Sequence, residues 1–240
     1  MKLNKTYDLS KRVAMHPDHD EYLNLWSSLY ENVNYNHGIV GYFLQKSHEW
    51  AESYFQPGKH FEKVLEVGSG TGTHLKYIRH SFEQYHLTDL NPPFLDKIEL
   101  EESFSVSGKV VISMENATNL SFPDNSFDRV ISAHLLEHLY RPHEVIHEWV
   151  RVLKPGGTLT LLLPCDPGML WRFGRYSVVR NKWIKAGIDY DYWMAREHVN
   201  PINNLVSFVR YYFPEKTECW MPTRIPSIDI NLFYIAHIVV

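Results

Sequence analysis

The chain has 240 residues, of which 44% are apolar and 22% are charged. These values are typical of a soluble globular protein, and the length suits one α/β domain but is short for two. A net charge of −4 and a pI near 6.4 argue against a nucleic-acid-binding protein that relies on a broad positive surface. The two cysteines, Cys165 and Cys219, form neither a disulfide framework nor a CxxC site, which favours a reducing, cytoplasmic location.

No leader peptide or membrane span is expected. The first 20 residues are polar and contain basic residues without an apolar core. Apolar runs such as Leu159–Leu163 are far too short to cross a bilayer. Peripheral contact with a membrane stays open, and the sequence does not indicate an oligomeric state.

The first 60 residues predict amphipathic helices. One apolar stripe with helical spacing comprises Tyr22, Leu25, Trp26, Leu29 and Tyr30. A second run extends from about Ile39 to Phe55 and stops at the breaker pair Pro57-Gly58. We expect residues 1–60 to form an N-terminal helical extension, with Tyr30, Tyr35 and His37 as part of a lid that contacts a substrate.

From Lys63 onwards, short β-type runs alternate with helix-length connections. The predicted strands are Lys63–Val67, Tyr85–Thr88, Lys109–Ser113, Arg129–Ser132, Thr158–Leu163, Thr217–Arg224 and Leu232–Val239. Strands that alternate with helices predict a parallel sheet with right-handed crossovers. Residues 61–240 are therefore expected to form one domain.

A long segment separates the fifth and sixth predicted strands, and we call residues 164–215 the insert. It is rich in aromatic residues, among them Trp171, Phe173, Tyr176, Trp183, Tyr190, Trp193 and Tyr211, and in arginines, among them Arg172, Arg175, Arg180, Arg196 and Arg210. Aromatic rings can stack on a substrate ring or enclose a methylated ammonium, and arginines bind phosphate or carboxylate. The alternative is that most of these aromatic residues cover the sheet or an N-terminal helix.

The segment Val64-Leu-Glu-Val-Gly-Ser-Gly-Thr-Gly-Thr-His74 is the most informative motif. An apolar strand leads to three glycines at alternate positions and then to a predicted helix start. Such a turn brings bare backbone N–H groups against a ligand that a Cβ atom would keep away. The motif therefore predicts a site for a nucleoside-type cofactor.

Two acidic residues help to decide between cofactor classes. Glu66 precedes the first glycine, and a carboxylate there would repel a pyrophosphate but attract a cationic ammonium or sulfonium group. Asp89 ends the second predicted strand, where a carboxylate can accept both ribose hydroxyls. This combination favours S-adenosylmethionine (SAM) over NAD.

Four segments extend this interpretation to a family. Glu66–His74, Leu87–Asn91, Asn116–Asp128 and Arg151–Gly157 together resemble class I SAM-dependent methyltransferases, particularly the small-molecule (type 11) group. The resemblance covers roughly residues 63–164. It implies an α/β Rossmann-like fold, with a seven-stranded, mostly parallel sheet, helices on both faces and an antiparallel last strand. Residues 61–240 would form the methyltransferase domain, and the insert would lie on the substrate side.

The resemblance also implies a set of cofactor-binding residues. Glu66 and the backbone from Gly68 to Gly72 would hold the methionine end, Asp89 would bind the ribose, and Leu90 would pack near the adenine. The full set is Glu66, Gly68, Ser69, Gly70, Gly72, His74, Asp89, Leu90, Asn116, Ala117, Ala133 and His134. Asn116 stands where the family often has an acidic residue, and its side-chain oxygen can still accept from the adenine amino group. S-adenosylhomocysteine would be the product.

Two histidine patterns match zinc-peptidase signatures. His134–His138 matches HxxEH, and His143–His147 matches HExxH. The chain has 14 histidines, so chance matches are expected. The family frame places both patterns on ordinary helices, and the sequence offers no third ligand. We therefore expect no metal.

The acceptor is less clear than the donor. The candidate catalytic residues are His134, His138 and His198, each as a base or an orienting group for the acceptor. The remaining acceptor-side candidates are Asp166, Trp171 and Arg196. Methyl transfer to an O or N atom of a small molecule (a sugar, a lipid head group or an aromatic metabolite) is the favoured function. A protein methyltransferase, a noncatalytic SAM-binding module and a nicotinamide-dependent oxidoreductase are the alternatives.

Overall fold

The computed structural model describes residues 38–100 and 108–240. Its strands are β1 (His60–Val67), β2 (Ser81–Asp89), β3 (Lys109–Met114), β4 (Phe127–Ala133), β5 (Leu153–Pro164), β6 (Thr217–Met221) and β7 (Phe233–Val239). The α-helices of the described residues are α1 (Gly38–Glu52), α2 (Pro92–Leu95), α3 (Pro142–Val152), α4 (Met169–Gly174), α5 (Arg180–Lys185), α6 (Tyr190–Glu197) and α7 (Ile202–Tyr212). Short 3₁₀ turns cover Thr73–Tyr77 and Leu136–His138, and a π-helical turn, Arg175–Val179, joins α4 to α5.

The seven strands form one sheet in the order β3-β2-β1-β4-β5-β7-β6. The pairs among β1 to β5 are parallel, and β7 runs antiparallel between β5 and β6. This is the predicted fold class, with an antiparallel last strand. Since β1 and β4 are central neighbours, the segments that follow β1, β2, β4 and β5 meet at one edge of the sheet.

Helices cover both faces of the sheet. On one face α3 buries Val145, Ile146, Trp149 and Val152, an apolar stripe with helical spacing, against the strands. The helix α7 packs into the same core, although it belongs to the predicted insert. The portion of the insert that stands outside the sheet layers therefore ends before α7.

On the other face, α1 packs against β5 and β7, with Ala51 buried beside Leu162 and Phe233. This helix confirms the predicted apolar run that begins near Ile39. The remainder of the predicted extension, including the lid residues Tyr30, Tyr35 and His37, lies outside the described residues.

Two predicted helices are wrong. The segment after the glycine motif forms only the 3₁₀ turn Thr73–Tyr77, because β2 already begins at Ser81. The HxxEH pattern does not lie on a helix either: His134 has a left-handed backbone (φ +56°), and only Leu136–His138 forms a 3₁₀ turn. The second pattern does lie on a helix, with Pro142 in the first turn of α3.

Candidate functional site

The glycine motif forms a turn that only glycine adopts readily. Gly68, Gly70 and Gly72 all have left-handed backbones, with φ of +68°, +54° and +76°. A Cβ atom added at Gly70 would meet nothing within 4 Å, and the Ser69 hydroxyl is buried without a hydrogen-bond partner among the described residues. The turn is therefore a polar cradle open above Gly70, which fits the expected cofactor.

Asp89 lies beside this cradle at the end of β2. Its Oδ2 accepts from the Gly70 N–H at 3.1 Å, and its Oδ1 accepts from the backbone and side-chain nitrogens of Asn91 at 2.9 and 3.1 Å. Burial raises the pKa of this carboxyl, although the N–H groups of Asn91 and Gly70 oppose that effect. The next side chain, Leu90, is 55% exposed. The structure thus brings together Asp89, Leu90 and the glycine turn.

Glu66 is almost fully buried in β1. The Tyr85 hydroxyl donates to its Oε2 at 2.7 Å, and burial raises the pKa of its carboxyl. The contact of Glu66 with the methionine end of a cofactor stays a prediction.

A buried network of charged side chains lies on the face of the sheet that α1 covers. Sequence reasoning missed this network. Arg129 in β4 donates to both carboxylate oxygens of Glu52 in α1, at 3.2 and 2.5 Å. The ring nitrogens of His74 contact Glu52 Oε1 at 3.0 Å and His48 Nδ1 at 2.8 Å. Because both ring nitrogens of His74 contact residues of α1, this side chain joins α1 to the turn after β1. A contact of His74 with the cofactor stays a prediction.

The burial of Glu52 alone would raise the pKa of its carboxyl, but the adjacent Arg129 and His74 lower it well below the usual range. Glu52 is thus an ionised carboxylate inside the protein. Its partner Arg129 is also fully buried, and the guanidinium lies 4.1 Å from the centre of the Phe55 ring. The sequence signal was weak: an arginine in a strand that also contains Asp128 and Ser132.

The turn after β3 holds the predicted adenine contacts. The Asn116 side-chain oxygen accepts from the Thr118 N–H at 3.0 Å and from its hydroxyl at 2.8 Å. That oxygen therefore closes a local turn, and the adenine contact stays a prediction. The neighbouring Ala117 accepts from the Trp149 indole at 2.9 Å, which fixes the turn to α3.

His134 follows β4 at the centre of this edge. Its ring lies edge-on to the rings of His48 and Phe233, and its Nε2 is buried without a partner among the described residues. Burial lowers the pKa of His134 to about 3, and charges on His74 and His198 would lower it further. The neutral imidazole is a weak proton acceptor at pH 7. Ala133, the last residue of β4, packs against the cluster formed by α1 and β5.

A cavity of about 370 Å³ opens beyond the end of β5. Its polar lining includes Asp166, Arg175, Asp191, His198 and Asn200. Asp166 Oδ2 accepts from His198 Nδ1 at 2.9 Å and from Arg175 Nη1 at 3.2 Å. Burial would raise the pKa of Asp166, but these two partners lower it, so the carboxylate remains charged.

His138 and Glu137 lie beside His198, which lines the cavity. The His138 ring is edge-on to the His198 ring, with 4.6 Å between centroids. Burial lowers the pKa of His138 well below its usual value, and burial raises the pKa of Glu137 to about 8. The fold therefore brings two of the three candidate catalytic histidines, His138 and His198, into contact.

The family model for a methyltransferase domain matches residues 65–161, which span the glycine turn, β2, β4 and most of β5. The chain contains a class I SAM-dependent methyltransferase domain. The cofactor of this family is SAM, and the open cradle at Gly70, the unpartnered Ser69 hydroxyl and Asp89 fit it.

Curated relatives agree with this assignment. Over 145 residues the chain is 32% identical to a 2-methyl-6-phytyl-1,4-hydroquinone methyltransferase of Oryza sativa, covering 59% of this chain and 43% of that protein. Over 205 residues it is 32% identical to a sterol 24-C-methyltransferase of Neurospora crassa, covering 78% and 48%. The chain thus spans less than half the length of these two relatives.

A solved structure shares the fold. Phosphoethanolamine N-methyltransferase 2 of Haemonchus contortus, in complex with SAM, superposes with a TM-score of 0.61 at 16% identity, covering 92% of this chain and 58% of that one. At this identity the match shows the fold alone. Among the residues that the structure describes, none of the helices is both long and apolar enough to cross a membrane.

Two predicted acceptor-side residues, Trp171 and Arg196, are not among the residues that line the cavity. Trp171 packs edge-on against Phe233, and Arg196 lies over the Trp193 ring and beside Glu197. Arg175 and Tyr176, which the sequence identified only as members of the insert, line the cavity from the π-helical turn. Many aromatic residues of the insert serve packing: Trp183, Tyr190 and Trp193 form a buried cluster with Ile188 and Met194.

Proposed function

We propose that this protein transfers the methyl group of SAM to an oxygen or nitrogen atom of a small polar acceptor, which binds in the cavity beside Asp166 and His198. The cofactor cradle follows β1 and β2, and the cavity follows β5. One observation carries the proposal: the cavity and the cradle both lie beyond the carboxyl ends of parallel strands, at the same edge of one sheet.

The lining of the cavity favours a polar acceptor. Arg175, Asp166, Asn200 and Asp191 offer both donors and acceptors of hydrogen bonds, and Pro167, Met194 and Pro201 add apolar surface beside them. The names of the two curated relatives indicate large apolar substrates, and the sterol enzyme methylates carbon. For this chain we infer an acceptor that combines polar groups with some apolar surface, such as a sugar, a polar head group or a hydroxylated aromatic ring.

The residues of this chain would act mainly by positioning. SAM, when bound, supplies a methyl group on a positively charged sulfur, and transfer then requires an in-line acceptor in a dry site. Asp89 and the glycine turn would fix the donor, and Arg175 and Asn200 would orient the acceptor. His198 is held by Asp166 and would face the reacting atom, while the insert excludes water.

The first experiment separates the cofactor classes. Isothermal titration calorimetry with SAM, S-adenosylhomocysteine and NAD should show binding of the two sulfur compounds and none of NAD. The second incubates the protein with SAM labelled in the methyl group and with panels of sugars, head groups and phenols. Label recovered in one panel supports the proposal, and SAM binding without transfer to any acceptor class favours a noncatalytic module.

A protein acceptor is the remaining alternative. The same labelled SAM, added to a protein extract, would transfer label to polypeptide if that alternative were correct. Transfer to protein in preference to every small-molecule panel would contradict the proposal.

A further inference from the structure

We propose that Glu137, His138 and His198 form a binding site for a divalent transition-metal ion of the zinc type. One ligand atom from each residue lies within 4.8 Å of the others. Sequence alone offers no third ligand for the His134–His138 pattern, but the fold places His198 there from a segment about 60 residues away. His134, the first histidine of the pattern, is not part of this group.

An unpartnered buried oxygen points independently to a ligand. Glu137 is 2% exposed, and its Oε2 is buried with no hydrogen-bond partner among the described residues. Its other oxygen, Oε1, lies 3.8 Å from His138 Nε2. Buried acceptors are rarely left unsatisfied, since their desolvation is then uncompensated. A cation beside Glu137 would satisfy this oxygen.

Both imidazoles are already oriented as metal ligands usually are. Nδ1 of His198 is engaged by the Asp166 carboxylate at 2.9 Å, which leaves Nε2 for an ion. The His138 ring is hydrogen-bonded to the backbone of Glu197. Metal-binding histidines commonly donate their second ring N–H to a carboxylate or a backbone carbonyl, and this bond fixes the orientation of the ring.

The two segments that supply the ligands are also held together by the backbone. The N–H groups of Val199 and Asn200 both donate to the Glu137 carbonyl at 3.0 Å. The Asn200 side chain donates to the Leu139 carbonyl at 2.7 Å. The main chain thus holds the two ligand-bearing segments side by side, and rotation of the side chains sets the final spacing of the three ligand atoms.

The dimensions suit a small ion after the side chains rotate closer together. Ligand atoms about 2.1 Å from a tetrahedral zinc ion lie roughly 3.4 Å apart, so the present separations of up to 4.8 Å would close by up to about 1.4 Å. Two imidazoles and one carboxylate favour zinc, manganese or iron over calcium or magnesium, which prefer oxygen ligands. Three protein ligands leave a coordination position open, and His198 also lines the 370 Å³ cavity.

The role of the ion rests on the proposed function, whereas its binding does not. A metal ion at the cavity wall would bind an acceptor hydroxyl and favour loss of its proton to solvent water. The oxygen would then form its bond to the methyl carbon as the carbon–sulfur bond of SAM breaks, which leaves S-adenosylhomocysteine. His198 would then act as a ligand, and Asp166 as the residue that positions it.

The test uses the full chain, freed of metal with a chelator and titrated with Zn²⁺, Mn²⁺ and Mg²⁺ in the calorimeter. We expect one equivalent of Zn²⁺ to bind and Mg²⁺ to bind far more weakly. Glu137→Gln, His138→Ala and His198→Ala should each abolish this binding, and Asp166→Asn should weaken it about 10–100-fold. Thermal unfolding of each variant without metal shows whether it is folded.

The second histidine pattern provides a matched control. His143→Ala and His147→Ala on α3 remove imidazoles near a glutamate without touching the proposed site, so Zn²⁺ affinity should not change. Failure of the parent chain to bind Zn²⁺, or loss of binding only in the α3 variants, would overturn the metal site. If the folded variants still bind one equivalent, the assignment is also wrong. SAM titrations in parallel separate the two proposals, because each can fail while the other stands.

Discussion

The proposed cofactor side and the proposed acceptor side of this protein are built differently. The cofactor side uses backbone: three left-handed glycines, a carboxylate at the end of β2 and strands buried in the main core. The acceptor side uses side chains from the insert, where α5 and α6 enclose a small cluster of their own around Trp183. A shared donor needs a fixed backbone cradle, whereas acceptor choice can vary with the side chains of an added segment.

The largest effect is expected where the cofactor side is joined to α1. Arg129→Met should lower the free energy of unfolding by about 3–5 kcal/mol, because it leaves the Glu52 carboxylate buried without its main partner. Denaturation in urea measures this change. The double variant Glu52→Met/Arg129→Met should recover part of the loss, and Arg180→Met, which breaks an exposed ion pair with Asp191, should cost about 0–1 kcal/mol. Equal losses in Arg129→Met and Arg180→Met would contradict the role of the buried network.

This comparison also explains what the sequence could reveal. Strand runs such as Val64–Val67 and the glycine spacing are local patterns with direct backbone consequences, so the fold class and Asp89 could be predicted. The contacts of Arg129 with Glu52 and of His198 with Asp166 join residues 77 and 32 positions apart, and no local pattern encodes them. The HxxEH pattern was misleading because it suggests a helix, whereas the left-handed His134 ends β4 in a turn.

We expect one substitution in the insert, Trp183→Ala, to disorder the insert without unfolding the rest of the domain. Trp183→Ala removes the largest side chain from a cluster separate from the main core, at a cost of about 3–5 kcal/mol for a buried tryptophan. We expect this loss to open residues 169–197 to hydrogen exchange and protease while SAM affinity is unchanged. Trp149→Ala, in the main core, should instead destabilise the whole domain. Loss of SAM binding by a folded Trp183→Ala variant would show that the two sides are coupled.

A smaller effect is expected at the ribose contact. Asp89→Ala should weaken SAM binding by about 1.5–3 kcal/mol, or about 10–150-fold, because it removes a charged hydrogen-bond acceptor. Calorimetry measures the affinity, and Asp96→Ala, at an exposed position just after α2, is the control that should bind normally. Asp89→Asn, which retains an oxygen acceptor for Gly70, should fall between the two. Unchanged affinity in Asp89→Ala would remove this residue from the site.

The smallest effect on stability is expected at the open end of the cradle, and here two glycines form a matched pair. Gly70 (φ +54°) and Gly156 (φ +79°) are both left-handed, and a Cβ atom at either would meet nothing within 4 Å. Alanine at either position should therefore cost a similar 1–2 kcal/mol, roughly the penalty of a left-handed L-residue.

The two variants should differ in cofactor binding. The Cβ atom of Gly70→Ala would occupy the space predicted for SAM and weaken its binding about tenfold or more, a loss of about 1.4 kcal/mol or more. Gly156→Ala lies in the turn within β5, away from the cradle, and should bind SAM as the parent chain does. Since backbone strain is matched, a difference in affinity with equal stability would place the cofactor above Gly70. Equal affinity in both variants would mean that the open space at Gly70 is not the cofactor site. The contrast between a donor side built from backbone and an acceptor side built from side chains would then be wrong.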